Sequence, residues 1–126
     1  MTAARIAIRT ADAPPPVGSY SQAIEYNGVV YISGQTGRWP DGKRATLEPF
    51  ELQAELALAN VQAIAQAAGT DLSNALQVIV YLKDPSNSGA FDAIYRNYVL
   101  EPFPSRAIVQ SSLIVSDIEI SAIVVK

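Results

Sequence analysis

One stretch limits the folds open to this chain more than any other. From about residue 49 to residue 68 the pattern is that of a single long helix, and the segments on either side of it read as β-strands. Pro49 suits the first turn, Glu48 and Glu51 lie toward the positive end of the helix dipole, and Gly69 suits the C-terminal cap. Phe50, Ala54, Ala57, Leu58, Val61, Ile64, Ala65 and Ala68 share one helical face, and Leu52, Leu56 and Ala63 form a second, smaller apolar strip. A helix with so broad an apolar face must be covered, and the flanking strands supply the sheet that covers it.

Upstream, residues 4–10 alternate in character and read as a strand, followed by the stiff connector Ala13-Pro14-Pro15-Pro16. A second strand is expected over 20–26. Asn27-Gly28 then marks a hairpin turn into a strand over 29–33, stopped by Gly34. Residues 36–45 form a polar loop. Downstream, the apolar run 76–82 is a buried strand ended by Asp84-Pro85. Phe91, Ile94, Tyr95 and Tyr98 recur at helical spacing and mark a second helix. Two strands, over 106–113 and 118–125, close the chain as a hairpin with a tight turn near Ser116-Asp117. The expected fold is a two-layer α+β domain spanning residues 1–126, ordered β-β-β-α-β-α-β-β, with both helices on one face of a mixed sheet. The other face, apolar around Val78 and Val80, is expected to be buried in an oligomer.

Composition narrows the chemistry. The 126 residues include no cysteine and no histidine. Thiolate nucleophiles, zinc–sulfur sites and histidine-based triads are therefore excluded. No acidic cluster has metal-ligand spacing, so no metal is expected. Nine basic and twelve acidic residues give a net charge of −3, which argues against general nucleic-acid binding. The longest apolar run is too short for a bilayer, and residues 1–10 carry no secretory h-region, so a soluble cytoplasmic protein is the expectation.

Several side chains can carry chemistry, each with a plain structural alternative. Arg106 opens an apolar strand; its guanidinium can hold a carboxylate through paired hydrogen bonds, or it is a solvated strand end or a structural ion pair. Glu119, between Ile118 and Ile120, shares a strand face with Ser121, Ile123 and Val125 and lies either in a pocket or at a wet edge. Tyr20 follows Gly18 and either presents its phenol or plugs the core. In Ser33-Gly34-Gln35, the glycine either admits a ligand to the backbone or simply bends the strand. Arg38, Lys43 and Arg44 cluster with Trp39 in the polar loop, where they could contact RNA or form an ordinary solvated loop.

Taken together, Gly18-Ser19-Tyr20-Ser21-Gln22, Ile32-Ser33-Gly34-Gln35, Asn60-Val61, Ala63-Ile64, Ala67-Ala68-Gly69, Lys83-Asp84, Pro104-Ser105-Arg106 and Ile118-Glu119-Ile120 resemble the RidA (YjgF) family, in order, from about residue 13 to residue 125. The resemblance implies a chorismate-mutase-like fold and a homotrimer with three ligand clefts between subunits. It also implies cofactor-free hydrolysis of 2-imino acids, or their enamine tautomers, to 2-keto acids and ammonia. By position, Arg106 would grip the substrate carboxylate, Glu119 would position or activate water, and Tyr20 would stand at the cleft entrance. Ser33 and Gly34 would line the pocket, and Ile108 would offer a backbone N–H. The chain departs from the better-known members at Ile108, often a cysteine, at Asp92, where they carry an asparagine, and in the loop around Trp39.

These departures keep two further readings open: a pathway-specific deaminase of the aminomuconate or aminoacrylate type, and a non-catalytic regulatory trimer that binds 2-keto acids. RNA cleavage, ascribed to some relatives, fits poorly with an acidic chain that has no histidine.

Overall fold

A computed structural model describes residues 4–126. The strands are β1 (Ile6–Ile8), β2 (Ala23–Tyr26), β3 (Val29–Thr36), β4 (Ala75–Leu82), β5 (Ser105–Gln110) and β6 (Ile118–Val125); the helices are α1 (Phe50–Ala67) and α2 (Ser88–Tyr95). The strands form one six-stranded sheet in the order β1-β2-β3-β6-β4-β5. The element order and the mixed sheet with two helices are those the sequence predicts.

The long helix forms where its periodicity places it. Phe50, Ala54, Ala57, Leu58, Val61, Ile64, Ala65 and Ala68 are all buried. At its C-terminus Gly69 adopts φ +86°, and the amides of Gly69 and Thr70 donate to the carbonyls of Gln66 and Ala65. That is a Schellman cap, and it requires a residue without a Cβ penalty in the left-handed region. At the β2–β3 turn both Asn27 (φ 52°) and Gly28 (φ 77°) are left-handed, as a tight hairpin needs.

Three expectations are corrected. β5 and β6 are not a hairpin. β5 runs parallel to β4 at the sheet edge, reached through α2, and β6 inserts antiparallel between β3 and β4. The reason is burial: β6 carries Ile118, Ile120, Ala122 and Val124 into the core, and its buried backbone N–H and C=O groups need a paired strand on each side. Second, Val78 and Val80 are fully buried beneath the helices and do not face outward. The outward face of β4 carries Gln77, Ile79 and Tyr81, beside Tyr31 of β3 and Ile123 of β6. Third, β3 does not stop at Gly34. It continues to Thr36 through a bulge in which Ser33 and Gly34 lie opposite a single residue of β6.

Two buried glutamines hold the irregular segments in place. Gln53, on α1, has no exposed surface. Its amide nitrogen donates to Glu48 O (2.9 Å) and Asp117 Oδ2 (3.1 Å), and its oxygen accepts from Asp117 N (2.8 Å) and Ser116 Oγ (3.1 Å). It therefore ties α1 to the entry of β6. Gln22 does the same for the proline-rich connector: its oxygen accepts from Thr10 N and its nitrogen donates to the carbonyls of Thr10, Ala13 and Pro14.

The packing yields two stability predictions. Gln53→Leu strands several buried polar groups and should lower unfolding free energy by about 2–4 kcal/mol in denaturant titration; a loss within error would show that the network is dispensable. Tyr95 is 4% exposed, and its hydroxyl is buried without a partner among the described residues. Tyr95→Phe removes that orphan group and should stabilise the fold by about 1 kcal/mol; destabilisation would mean the hydroxyl has a partner in solution.

Candidate active site

The alternation of the sheet divides the candidate residues between its two faces. Arg106 is paired with Val78, which is buried under the helices, so its side chain leaves the sheet on the helical face. Glu119 is paired with Thr36 and Tyr81 and leaves on the opposite face. Within one chain these two groups therefore line separate cavities.

The first cavity, about 310 Å³, lies where α2 meets the edge strand β5 and is lined by Asp92, Tyr95, Arg96, Val99, Phe103, Pro104 and Arg106. The Arg106 guanidinium is held from two directions. Its Nη1 donates to Asp92 Oδ1 at 2.7 Å, and its carbon lies 5.0 Å from the Tyr95 ring centroid and 5.9 Å from that of Phe91. The rings stack on each other with centroids 5.3 Å apart. A guanidinium has five N–H donors, and the Asp92 bond is its one side-chain hydrogen bond among the described residues, so most of the fork is available to an incoming anion. The hydrogen bond from Arg106 holds the Asp92 carboxyl below its usual range, with help from Arg96, whose Nε donates to Asp92 Oδ2 at 3.3 Å. Asp92 is thus ionised throughout the neutral range. With two arginines and one aspartate, the cavity carries a single net positive charge. Arg106 is thus a structural ion pair that keeps unbonded N–H donors, so the two readings of it are not exclusive.

Ile108 follows two residues later and packs against the core beside the cavity. The Ser111 amide donates to Leu82 O, toward β4. By the two-residue alternation of a strand, the amides of Arg106 and Ile108 then face the free edge of the sheet.

The second cavity, about 180 Å³, is lined among others by Val17, Tyr20, Gly34, Gln35, Thr36, Arg38, Arg44 and Glu119. Gly34 lies directly beneath the Glu119 carboxylate. A methyl group at position 34 would come within 2.6 Å of Glu119 Oε2 and 2.9 Å of its Cδ, so glycine is required there for the carboxylate to lie as it does. Tyr20 is 45% exposed, and its hydroxyl accepts a hydrogen bond from Val17 N at 3.2 Å; it lines the cavity and does not plug the core. Ser33 is placed differently. Its hydroxyl donates to Ser21 O at 2.7 Å and its amide to Gln22 O, so it anchors the segment carrying Tyr20 and is not among the cavity-lining residues.

Sequence reasoning did not assign Tyr95, Phe91 or Gln53 to the site. Tyr95 and Phe91 read only as one apolar helical stripe; Gln53 and Asn60, seven residues apart, are the polar residues that α1 buries beside its apolar stripe, and that spacing is their signal.

Comparison with known proteins identifies the family. The Endoribonuclease L-PSP family model matches residues 10–126. The mouse protein named 2-iminobutanoate/2-iminopropanoate deaminase is 36% identical over 124 residues, covering 97% of this chain and 92% of its own length. The human protein of the same name is also 36% identical, over 97% of this chain and 90% of its own. Among solved structures, RidA from the Antarctic bacterium Psychrobacter superimposes with a TM-score of 0.89 at 36% identity, over 97% of this chain and 100% of that one. E. coli TdcF with bound serine gives a TM-score of 0.84 at 29% identity, over 96% and 98% of the two chains. The element order, the family-model match over residues 10–126 and these likenesses lead to one assignment: the chain belongs to the RidA (YjgF) family.

Proposed function

We propose that this chain hydrolyses 2-imino acids, or their enamine tautomers, to 2-keto acids and ammonia, in clefts formed between copies of itself. The observation that carries the reading is the position of Arg106: a guanidinium fixed by Asp92 and two aromatic rings, with most of its donors open at the free edge of a sheet. The relatives named deaminases act on substrates of this kind, and E. coli TdcF is described with serine, a small α-amino carboxylate.

Arg106 and Glu119 leave opposite faces of one sheet, so a single chain does not assemble them around one small molecule. A second copy that docks its Glu119 face near the first copy's β5 edge completes the site. The outward face bearing Tyr31, Ile79, Tyr81 and Ile123 supplies apolar surface for such docking. A closed trimer contains three such clefts.

In each cleft Arg106 takes the substrate carboxylate through paired hydrogen bonds, and the edge amide of Ile108 gives it a further donor. Tyr20 narrows the mouth. The Glu119 carboxylate accepts a proton from water as the water oxygen bonds to C2 of the protonated imine. The adduct carries a hydroxyl and an amine on one carbon. Proton transfer to the amine and cleavage of the C–N bond release ammonia and leave the 2-keto acid. Water is the sole co-reactant, and the protonated imine is electrophilic enough to need no histidine or thiolate. The family model's nuclease description is a poorer guide for this chain, which has a net charge of −3 and no histidine.

Two experiments test the reading. On freshly generated 2-iminobutanoate, Arg106→Ala should lower kcat/KM by about 100-fold or more, and Glu119→Gln should lower kcat by about 100-fold with a smaller effect on KM; wild-type rates in Arg106→Ala would refute the anchor. When the two inactive variants are unfolded together and reassembled in equal amounts, about a quarter of shared clefts regain both native groups, so activity should return to that level. No recovery in stable oligomers would place both groups in one subunit's site.

A further inference from the structure

The Glu119 cavity holds more positive charge than imine hydrolysis uses. Arg38 and Arg44 both line it, and their backbones pair as an isolated antiparallel bridge, which sets the two side chains on the same side of the loop. The turn between them is built for this. Trp39 N–H donates to Lys43 O, Gly42 N–H donates to Trp39 O, and Gly42 takes φ +97°. Arg38 is fixed by neutral acceptors: its Nε donates to Gly42 O at 3.0 Å and its Nη1 to Pro15 O at 3.2 Å, while its own carbonyl accepts from the buried Asn60 at 2.8 Å. The Arg44 side chain makes no hydrogen bond or ion pair among the described residues, and the four ion pairs found there involve neither arginine. Two arginines therefore line a cavity whose one carboxylate is Glu119, and the cavity keeps one uncompensated positive charge in a chain whose net charge is −3.

A simple imino acid has one carboxylate, and Arg106 takes it. A second cationic pair at the water-activating end is used only if the substrate carries a second anion. We infer that Arg38 and Arg44 form a receptor for a carboxylate on the substrate's side chain, so that this protein prefers imino diacids to imino monoacids. This rests on the deaminase reading above. A monoanionic carboxylate matches the single excess charge better than a dianionic phosphate does, and the planar fork of arginine fits it in two-point contact. Arg38, held by three hydrogen bonds, is the fixed part of the receptor; Arg44 is free to close on the ligand.

The test compares imines freshly generated from glutamate and 2-aminoadipate with that from 2-aminobutanoate, using the wild type, Arg44→Ala and Arg44→Lys. The wild type should favour the better diacid by about 10-fold or more in kcat/KM. Arg44→Ala should reduce that preference by about 10-fold, chiefly through KM, and Arg44→Lys should restore part of it. A wild type that hydrolyses the monoacid imine readily and the diacids no better overturns the receptor and leaves the deaminase reading standing. So does a selectivity ratio unmoved by Arg44→Ala. If none of the imines is hydrolysed, the deaminase reading fails, and calorimetry with 2-oxoglutarate, 2-oxoadipate and 2-oxobutanoate decides the receptor. Tighter binding of either diacid that is lost in Arg44→Ala supports it, and equal or absent binding overturns it.

Discussion

The structure depends on the strict alternation of β6. This strand lies between β3 and β4 and sends Ile118, Ile120, Ala122 and Val124 into the core under α1. The same alternation leaves Glu119, Ser121 and Ile123 no choice but the outer face. A shift of one residue would bury a carboxylate and expose four apolar side chains. The register is held at the strand's entry by Gln53, which binds Ser116 and Asp117 from across the helical layer. The bulge in β3 then lowers Gly34 beneath the carboxylate. Core packing and the placement of Glu119 are thus fixed by a single constraint.

Much of this was legible in the sequence, and the parts that were not have identifiable reasons. α1 declared itself through an unbroken apolar stripe and a glycine cap, both local signals. The β2–β3 turn did so through Asn27-Gly28. The failures concern non-local pairing. Residues 106–113 and 118–125 are adjacent in sequence and look like a hairpin, yet the parallel β4–β5 pairing and the insertion of β6 are decided by which strands need two neighbours. The sequence does not tell which face Val78 and Val80 take, because a continuous apolar run carries no alternation to read. The continuation of β3 past Gly34 is hidden in the sequence, because a glycine that admits a close neighbour and a glycine that ends a strand look alike there.

The site was legible as a list of residues but not as a geometry. Arg106, Glu119, Tyr20 and Gly34 all border cavities, yet nothing in their spacing shows that Arg106 and Glu119 leave opposite faces. That follows from registers spanning three strands. Asp92 stood out as a departure from a familiar pattern, and the structure gives it a physical role: it fixes the guanidinium at 2.7 Å and is itself kept ionised by two arginines. The cost is partial neutralisation of the anchor, and Arg96 offsets it. The stacked rings of Phe91 and Tyr95 restrict the guanidinium further, so less rotational freedom is lost when an anion binds.

Division of the site between two faces also separates two kinds of specificity. On the proposed deaminase reading, the Arg106 half takes what every α-imino acid shares, its carboxylate; that half is built from α2 and the edge strand β5. The Glu119 half borders the loop 37–45, whose backbone is held by its own turn and by the buried Asn60. Changes in that loop alter what lies beside the reacting carbon without moving Arg106, because the two halves share no side chain within a chain. In this chain the loop brings two arginines, Arg38 and Arg44, to the cavity that holds Glu119, so its charge is set by the loop and not by the sheet.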